Sequence, residues 1–595
     1  MKEIKQKNKK QVPFADVSRK KVTSVKPHKS VAAAPGTSYV RMLVVFVILI
    51  VTFIAFIPAL HNGILKTWDD QAYVTNNDLV KSISANGIMR IFKEDKGLYA
   101  NYHPLTTLSL AINYYFSKDE PFGYHLTNLI FHLLNTLLVF IFIYLLTKKN
   151  LEIAAVTALL FGLAPVHVES VAWISERKDV LYAFFFLASL ITYQQFLKKS
   201  DWKLYAVSLF LFLCAMLSKA MAASLPLVLI LVGFMEKKRW SWKLLPDKIP
   251  YFIVAILLGF LAVRIQTEGM AIGDNSFPLH LRIFHACYGF AAYILKIFLP
   301  FGLSAFYPYP YPLINAGWVI NTFPPVFYLT LLLTIAIFGF SVFGVISKRK
   351  NLCITGFGLL FYAVTIALVL QFLPVGRASM ADRYAYIPSI GLFFIAGYFV
   401  HLLYQTKTFK VPIIVIVVIY AGLLFFLTRE QTKVWKNDET LWSNVIRLYP
   451  LDNRVTIAYA SRSQFYQGEG NPREALKDLL LVAEWNPKDD NALDRIGKIY
   501  GKELNELETS FKFFQQAYQA NPQNLIVIND LATAYGIKGD YSTSLEYTLK
   551  GLEINKNDAA LLYTAGLTYS NLGQLALGKE YFDKAAAIDS TYKRK

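Results

Sequence analysis

The chain has 595 residues, 55% of them hydrophobic and 15% aromatic, and a formal net charge of +20. With a mean hydropathy of +0.37, this composition excludes a water-soluble globular protein and indicates an integral membrane protein with several bilayer-length apolar runs. The positive excess lies largely in the first 41 residues and in short loops, so it is read as an orientation signal and not as affinity for nucleic acid.

Residues 1–40 are basic and polar and read as a disordered cytoplasmic tail. The first apolar run, RMLVVFVILIVTFIAFIPAL over 41–60, is longer than a signal-peptide core and has no clear small-residue cleavage site after it. It is read as an uncleaved first span. Further candidate spans are 124–146, 152–168, 178–197, 203–217, 219–235, 250–267, 325–346, 353–373, 386–404 and 411–428, about eleven by length. Segment 282–301 is apolar enough to cross. A full crossing there would put the basic cluster Lys348-Arg349-Lys350 outside, so a re-entrant or interfacial helix is expected. The clusters at Lys148-Lys149, Lys198-Lys199, Lys237-Lys238-Arg239, Lys348 to Lys350 and Lys407 to Lys410 then all fall inside. Five polar stretches fall outside: 61–123, 165–178, Ser218-Lys219, 268–324 and 374–385. The three cysteines, Cys214, Cys287 and Cys353, lie in or beside apolar runs and show no disulfide framework or metal spacing.

After residue 428 the composition becomes that of a soluble helical region. Residues 429–446 read as a linker helix. From 447 to 595 the pairs Asn486-Pro487, Asn521-Pro522 and Asn555-Lys556 recur close to the 34-residue period of tetratricopeptide (TPR) helix pairs. About four units are expected, forming an extracytoplasmic α-solenoid that binds protein segments.

The outer stretches carry the unusual residues. Asp69-Asp70 follows Trp68 at the mouth of the first span. A carboxylate pair there could act as a general base or hold a divalent cation, and it could also be a solvated turn. His103 lies in Asn101-Tyr102-His103-Pro104. His167 and Glu169, then Glu176-Arg177-Lys178-Asp179, sit at the turn of a helix pair, where charges are costly unless they line a cavity or pair at the surface. His-x-Glu is not by itself a zinc motif. Lys219 stands between two apolar helices and could snorkel. Arg377 and Asp382-Arg383-Tyr384 could hold a phosphate bidentately or tie two spans by ion pairs. On 124–146, His125, Asn128, His132 and Asn135 share one face, which is read as packing toward the bundle interior.

TWDDQAYV, NYHPLTTLSLAINYYF, GYHLTNLIFHLLNTLL, PVHVESVAWISERKDVLYAFFF, SKAMAASLPLVLIL and ADRYAYIPSIGLFF occur in the order found in one family. In these stretches and in its TPR tail, the chain resembles the transmembrane and TPR-containing proteins. Those proteins resemble protein O-mannosyltransferases and share the GT-C glycosyltransferase fold. The resemblance implies an all-α, GT-C-like bundle over 41–428 and a polyprenyl-phosphate sugar donor. It also implies that Asp69-Asp70 is the family's first-loop acidic pair, although the O-mannosyltransferase pattern is usually Asp-Glu.

The expected activity is transfer of a lipid-linked sugar to a protein Ser or Thr hydroxyl at the outer face of the cytoplasmic membrane. Asp69 or Asp70 would be the base. His103, His167, Glu169, Arg177, Lys178, Asp179, Lys219, Arg377, Asp382, Arg383 and Tyr384 would form the substrate site. The alternative is a non-catalytic, membrane-anchored TPR scaffold for envelope assembly.

Overall fold

A computed structural model of the chain describes residues 35–95, 101–237, 245–268, 278–309, 324–372 and 378–593. Among them every regular element is helical. The described residues fall into two units: the start of the first helix, up to Leu43, belongs to one, and the bundle and the repeats from Val44 onward to the other.

The membrane half contains α1 (Pro35–Phe56), α2 (Ala85–Glu94), α3 (Pro104–Ser117), α4 (Pro121–Leu146), α5 (Leu151–Gly162), α6 (Val168–Ala172), α7 (Arg177–Lys199) and α8 (Trp202–Ser218). It continues with α9 (Leu225–Lys237), α10 (Ile249–Glu268), α11 (Leu279–Phe298), α12 (Pro325–Ile346), α13 (Lys350–Ile366), α14 (Ser389–Tyr404) and α15 (Lys410–Val434). Among the described residues, eight helices are long and apolar enough to cross a bilayer, or nine if one bent pair counts as a span.

Every segment expected to cross is helical, with three differences from a simple reading of lengths. The segment expected at 152–168 is broken: Leu151–Gly162 and Pro165–Ala172 meet at 54°. Trp202–Ser218, Ala220–Glu236 and Ser389–Tyr404 are apolar but shorter than the other crossings. The segment expected to be re-entrant is a 20-residue apolar helix of crossing length, α11. Its His285 ring lies 3.3 Å from the Ser379 carbonyl, and its Tyr293 hydroxyl bonds both the Ala381 carbonyl (3.1 Å) and the Ala381 N–H (3.0 Å). The helix therefore packs against 379–381 through side chains two turns apart.

The break after α5 explains the polar stripe of α4. Pro165 has no N–H to continue the helix, so neighbouring carbonyls lose their partners. A bilayer tolerates such groups only when protein satisfies them. His132 Nε2 lies 3.1 Å from the Gly162 carbonyl. Asn128 donates to the Val171 and Trp173 carbonyls at 3.2 and 3.0 Å, and Asn135 donates to the Val180 carbonyl at 2.8 Å. The stripe faces the interior because it fastens the broken segment and the first turn of α7.

The linker is α16 (Asp438–Leu448). After it come α17 (Thr456–Gly468), α18 (Pro472–Trp485), α19 (Asp490–Lys498), α20 (Leu507–Ala520), α21 (Leu525–Ile537), α22 (Tyr541–Ile554), α23 (Ala559–Asn571) and α24 (Leu575–Ile588), stacked as four pairs. The turns inside the last two pairs are made by Gly539 and Gly573, at φ +84° and +80°, a left-handed conformation that only glycine adopts without cost.

The main hydrophobic core is continuous from Ile48 in α1 to Ile499 beyond α19. A repeat array is expected to contact mainly its own neighbours, yet here Val455, Ala458, Leu479 and Ile496 share the core of the membrane helices. Deleting residues 521–595 is therefore expected to leave the thermal midpoint in detergent nearly unchanged. Deleting 447–595 is expected to lower it by many degrees. Equal midpoints for the two truncations would show that the shared core contributes nothing.

Candidate active site

The site begins where α1 ends. Past the turn Ile57–His61 the chain is tied to the end of α15: Asn62 donates to the Thr432 carbonyl (3.2 Å) and the Gly63 N–H to the Lys436 carbonyl (2.8 Å). The next residues bind Asp438 of α16, which accepts the N–H groups of Lys66 and Thr67 at 2.9 Å each and the Thr67 hydroxyl. Trp68-Asp69-Asp70 then leads into a short π-helical turn, Gln71–Thr75.

The two carboxylates have different surroundings. Asp70 is 1% exposed. It accepts the Ser175 N–H (2.9 Å), the Ser175 hydroxyl (2.5 Å) and the Leu65 N–H (3.1 Å), so it splices the first loop to the 173–176 turn. Burial pushes its pKa up to about 7, outweighing these bonds. Asp69 is partly exposed, and its carboxylate makes no hydrogen bond among the described residues. Its pKa is raised by burial, opposed by the charges of Lys178 and Arg383 and assisted by Glu176. The unengaged member of the pair thus faces cations, and the engaged one holds the backbone.

Beside Asp69 lies a cluster of buried charges drawn from three segments. Glu176 is its hub, 3.0 Å from Lys178 Nζ, 3.3 Å from Lys219 Nζ and 3.2 Å from Arg383 Nε. Lys219 also pairs with Asp179, whose other oxygen accepts the Ser170 hydroxyl at 3.1 Å. Arg383 pairs with Glu169 through its guanidinium, and its backbone N–H donates to the same carboxylate at 2.9 Å. The cations rest on aromatic faces: Lys178 on Tyr73 (4.6 Å) and Trp173 (5.6 Å), Arg383 on Tyr384 (4.9 Å) and Trp173 (5.5 Å), and Lys219 5.9 Å from the Tyr384 ring centre. Desolvated charges persist only with such partners. Three cations and three carboxylates balance here, and the two ammonium groups retain donor capacity.

The structure therefore brings together Asp69, Glu169, Lys178, Asp179, Lys219, Arg383 and Tyr384. His103 joins them from the start of α3. It is 7% exposed, its Nδ1 has no partner among the described residues, and its pKa falls to about 3 through burial and then the charges of Lys178 and Lys219. Three other residues point elsewhere. His167 lies inside the bundle, 2.8 Å from the Phe161 carbonyl and 3.1 Å from the Ser389 hydroxyl. Arg177 is fully buried and clasps α3 to α4 through Ser109 (2.8 Å), the Tyr124 carbonyl (2.9 Å) and Asn128. Asp382 turns from Glu169 to accept the Tyr307 hydroxyl at 2.7 Å, and burial raises its pKa to about 6 despite Lys296. Arg377 lies outside the described residues.

Several members were not singled out from the sequence. Asp95 is 2% exposed, accepts the Thr107 hydroxyl at 2.8 Å, and has its pKa raised to about 6 by burial. Trp173, Trp435 and Trp442 pack around Trp68: Trp68 stacks on Trp173 at 5.9 Å and meets Trp442 edge-on at 4.9 Å, and Trp173 stacks on Trp435 at 5.5 Å. The spacing of aromatics along the chain gives no sign of this cluster. Among the described residues no three His, Cys, Asp or Glu side chains converge in a metal-binding arrangement. An open cleft of about 560 Å³ runs beside the loop, lined in part by Lys66, Gln71, Asp119, Phe465 and Glu469.

An all-helical membrane bundle with buried charges at one end, continued by a helical-repeat solenoid, defines the class. Residues 559–592 match the tetratricopeptide repeat family model. The chain is 23% identical to the human protein O-mannosyl-transferase TMTC1, over 67% of this chain and 50% of that one. It is 22% identical to human TMTC3, over 88% and 66%, and 23% identical to the Caenorhabditis elegans protein O-mannosyl-transferase F38B6.6, over 65% and 55%. The chain thus spans half to two thirds of the length of these relatives. Crystal structures of MamA are also similar, one at 18% identity with a TM-score of 0.23, covering 25% of this chain and 86% of that one. The chain is thus similar to protein O-mannosyl-transferases of this kind over most of its length.

Proposed function

We propose that this protein is a membrane glycosyltransferase that moves a sugar from a polyprenyl-phosphate donor to a Ser or Thr hydroxyl of a protein. The observation that carries the reading is the contrast between the two aspartates: Asp69 is unengaged and faces Lys178 and Arg383, while Asp70 is fastened to backbone. Asp69 takes the acceptor hydroxyl proton. The acceptor oxygen attacks the anomeric carbon, the bond from that carbon to the phosphate oxygen breaks, and the sugar inverts. The departing phosphate carries the electron pair away and is held by Lys178, Lys219 and Arg383. His103 stays neutral at physiological pH, so its Nδ1 is available to a substrate group. The repeats recruit the protein acceptor. The relatives' names make mannose the first sugar to test. The experiment is transfer from a short-chain polyprenyl-phosphate mannose to a peptide by the purified full-length protein. No transfer from mannose or other hexose donors, in detergent or in liposomes, would sink the reading.

Asp69 must be ionised to act, and its pKa is raised. The rate is therefore expected to fall on acidification at a pH above the ordinary carboxylate range, which a pH–kcat/KM profile measures. A profile flat down to pH 4 would exclude Asp69 as the base.

The site is proposed to face away from the cytoplasm. The ends of α1 and α15 are tied together through Asn62–Thr432 and Gly63–Lys436, so both helices run toward the site. Eleven crossings satisfy that parity if α11 does not cross. The basic clusters then fall inside. Alkaline-phosphatase fusions near residue 430 are expected to be active and those near 349 inactive. The reverse pattern would put the site on the cytoplasmic face.

A further inference from the structure

We propose that α16, the helix linking the membrane bundle to the repeats, positions the catalytic loop: Asp438 and Trp442 hold Thr67-Trp68 and thereby fix where the Asp69 carboxylate stands. That Asp69 is the base rests on the proposed transfer reaction; the loop contacts stand independently of it. Asp438 is 2% exposed, and its carboxylate is spent on the loop, accepting two backbone N–H groups and the Thr67 hydroxyl. Trp442 donates from Nε1 to the same hydroxyl at 2.7 Å, and its ring meets Trp68 edge-on at 4.9 Å. Only Trp68 stands between Thr67 and Asp69, so the chain has little freedom between the clamp and the carboxylate.

Another side of α16 faces the first repeat pair. Glu439 accepts the Tyr466 hydroxyl at 3.2 Å, and Ser443 accepts Arg462 at 3.1 Å. Arg462 in turn grips Asp478 of α18 with two bonds, 2.9 and 2.8 Å. A single helix thus touches both the acceptor-recruiting array and the loop of the base. Asp438 and Trp442 make none of the charge-cluster contacts, so they are positioning residues.

The test uses full-length protein carrying Asp438→Asn, Trp442→Phe or, as the mildest change, Thr67→Val. The first readout needs no activity. Lys66 is exposed, and its bond to Thr67 lies inside the clamp, so trypsin cleavage at Lys66 is expected to rise about tenfold in Asp438→Asn, since a positioned carboxylate gives charge-assisted bonds that an amide does not. The second readout is kinetic. A displaced base costs turnover, so kcat is expected to fall about ten- to a hundredfold while donor KM stays within about twofold. A loosened loop also hydrates Asp69, which is otherwise surrounded by Lys178, Arg383, Glu176 and Asp70. The acid limb of the pH profile is then expected to move down by about one unit.

Unchanged cleavage at Lys66 in all three variants would overturn the proposal. Faster cleavage with unchanged kcat and pH profile would overturn it equally, because the loop would be loosened without moving the base. If wild-type protein transfers no sugar, the enzyme reading fails, and the cleavage result alone still decides whether α16 holds the loop.

Discussion

Asp69→Asn is expected to lower kcat about a hundred- to ten-thousandfold, the usual worth of a positioned general base, with no loss of folded protein. Among the described residues its carboxylate makes no hydrogen bond whose loss would unfold anything. Asp70→Asn, one residue away, is expected to fail differently. Asp70 accepts three bonds from Ser175 and Leu65 at a fully buried position. An amide that turns a donor toward those N–H groups costs about 1–3 kcal/mol. The measurement is a paired one, thermal midpoint and kcat on each variant. An Asp69→Asn protein as unstable as Asp70→Asn, or as active as wild type, would refute the division of roles.

Arg383→Gln is expected to have the second largest effect, on both donor binding and stability. Arg383 bonds Glu169 through its side chain and backbone and Glu176 through Nε. Its loss strips a buried carboxylate of its main partner, at about 3–5 kcal/mol. Arg383→Lys restores charge without the planar fork and should rescue stability better than donor affinity. Donor KM and urea midpoint on both variants check this. Full recovery of donor KM by lysine would make Arg383 a structural residue only.

Much of the architecture was legible because bilayers and repeats leave regular marks. Twenty-residue apolar runs and a period near 34 identify the bundle and the solenoid without tertiary information. The charges at 169–179, Lys219 and 382–383 stood out because each interrupts an apolar stretch where an unpaired charge is costly. Sequence could not say which way each side chain turns. Arg177 and Lys178 are adjacent, yet a helix sends neighbours to different faces, so one clasps α3 to α4 and the other joins the cluster. The division between Asp69 and Asp70 depends on Ser175, a hundred residues on. Asp438 and Trp442 read as linker because nothing near them in sequence is catalytic. The bend after α5 was not legible in the sequence, where 152–168 reads as one span; it is made tolerable by side chains from α4 and α15 that meet the freed carbonyls, His132 at Gly162 and Thr428 at Leu163.

The balance of charge beside Asp69 has a consequence for proton bookkeeping. Glu169, Glu176 and Asp179 together neutralise Lys178, Lys219 and Arg383 before any ligand arrives, so an incoming phosphate meets a ring that is already neutral, with Asp69 as surplus negative charge. Each added negative charge nearby raises a carboxylate's pKa. Donor binding should therefore draw a proton onto Asp69 over the pH range just above its free value. By linkage, donor affinity should rise as pH falls, although catalysis needs that same proton absent. Tight donor capture and fast transfer then favour opposite sides of one titration, and the best working pH is a compromise between them.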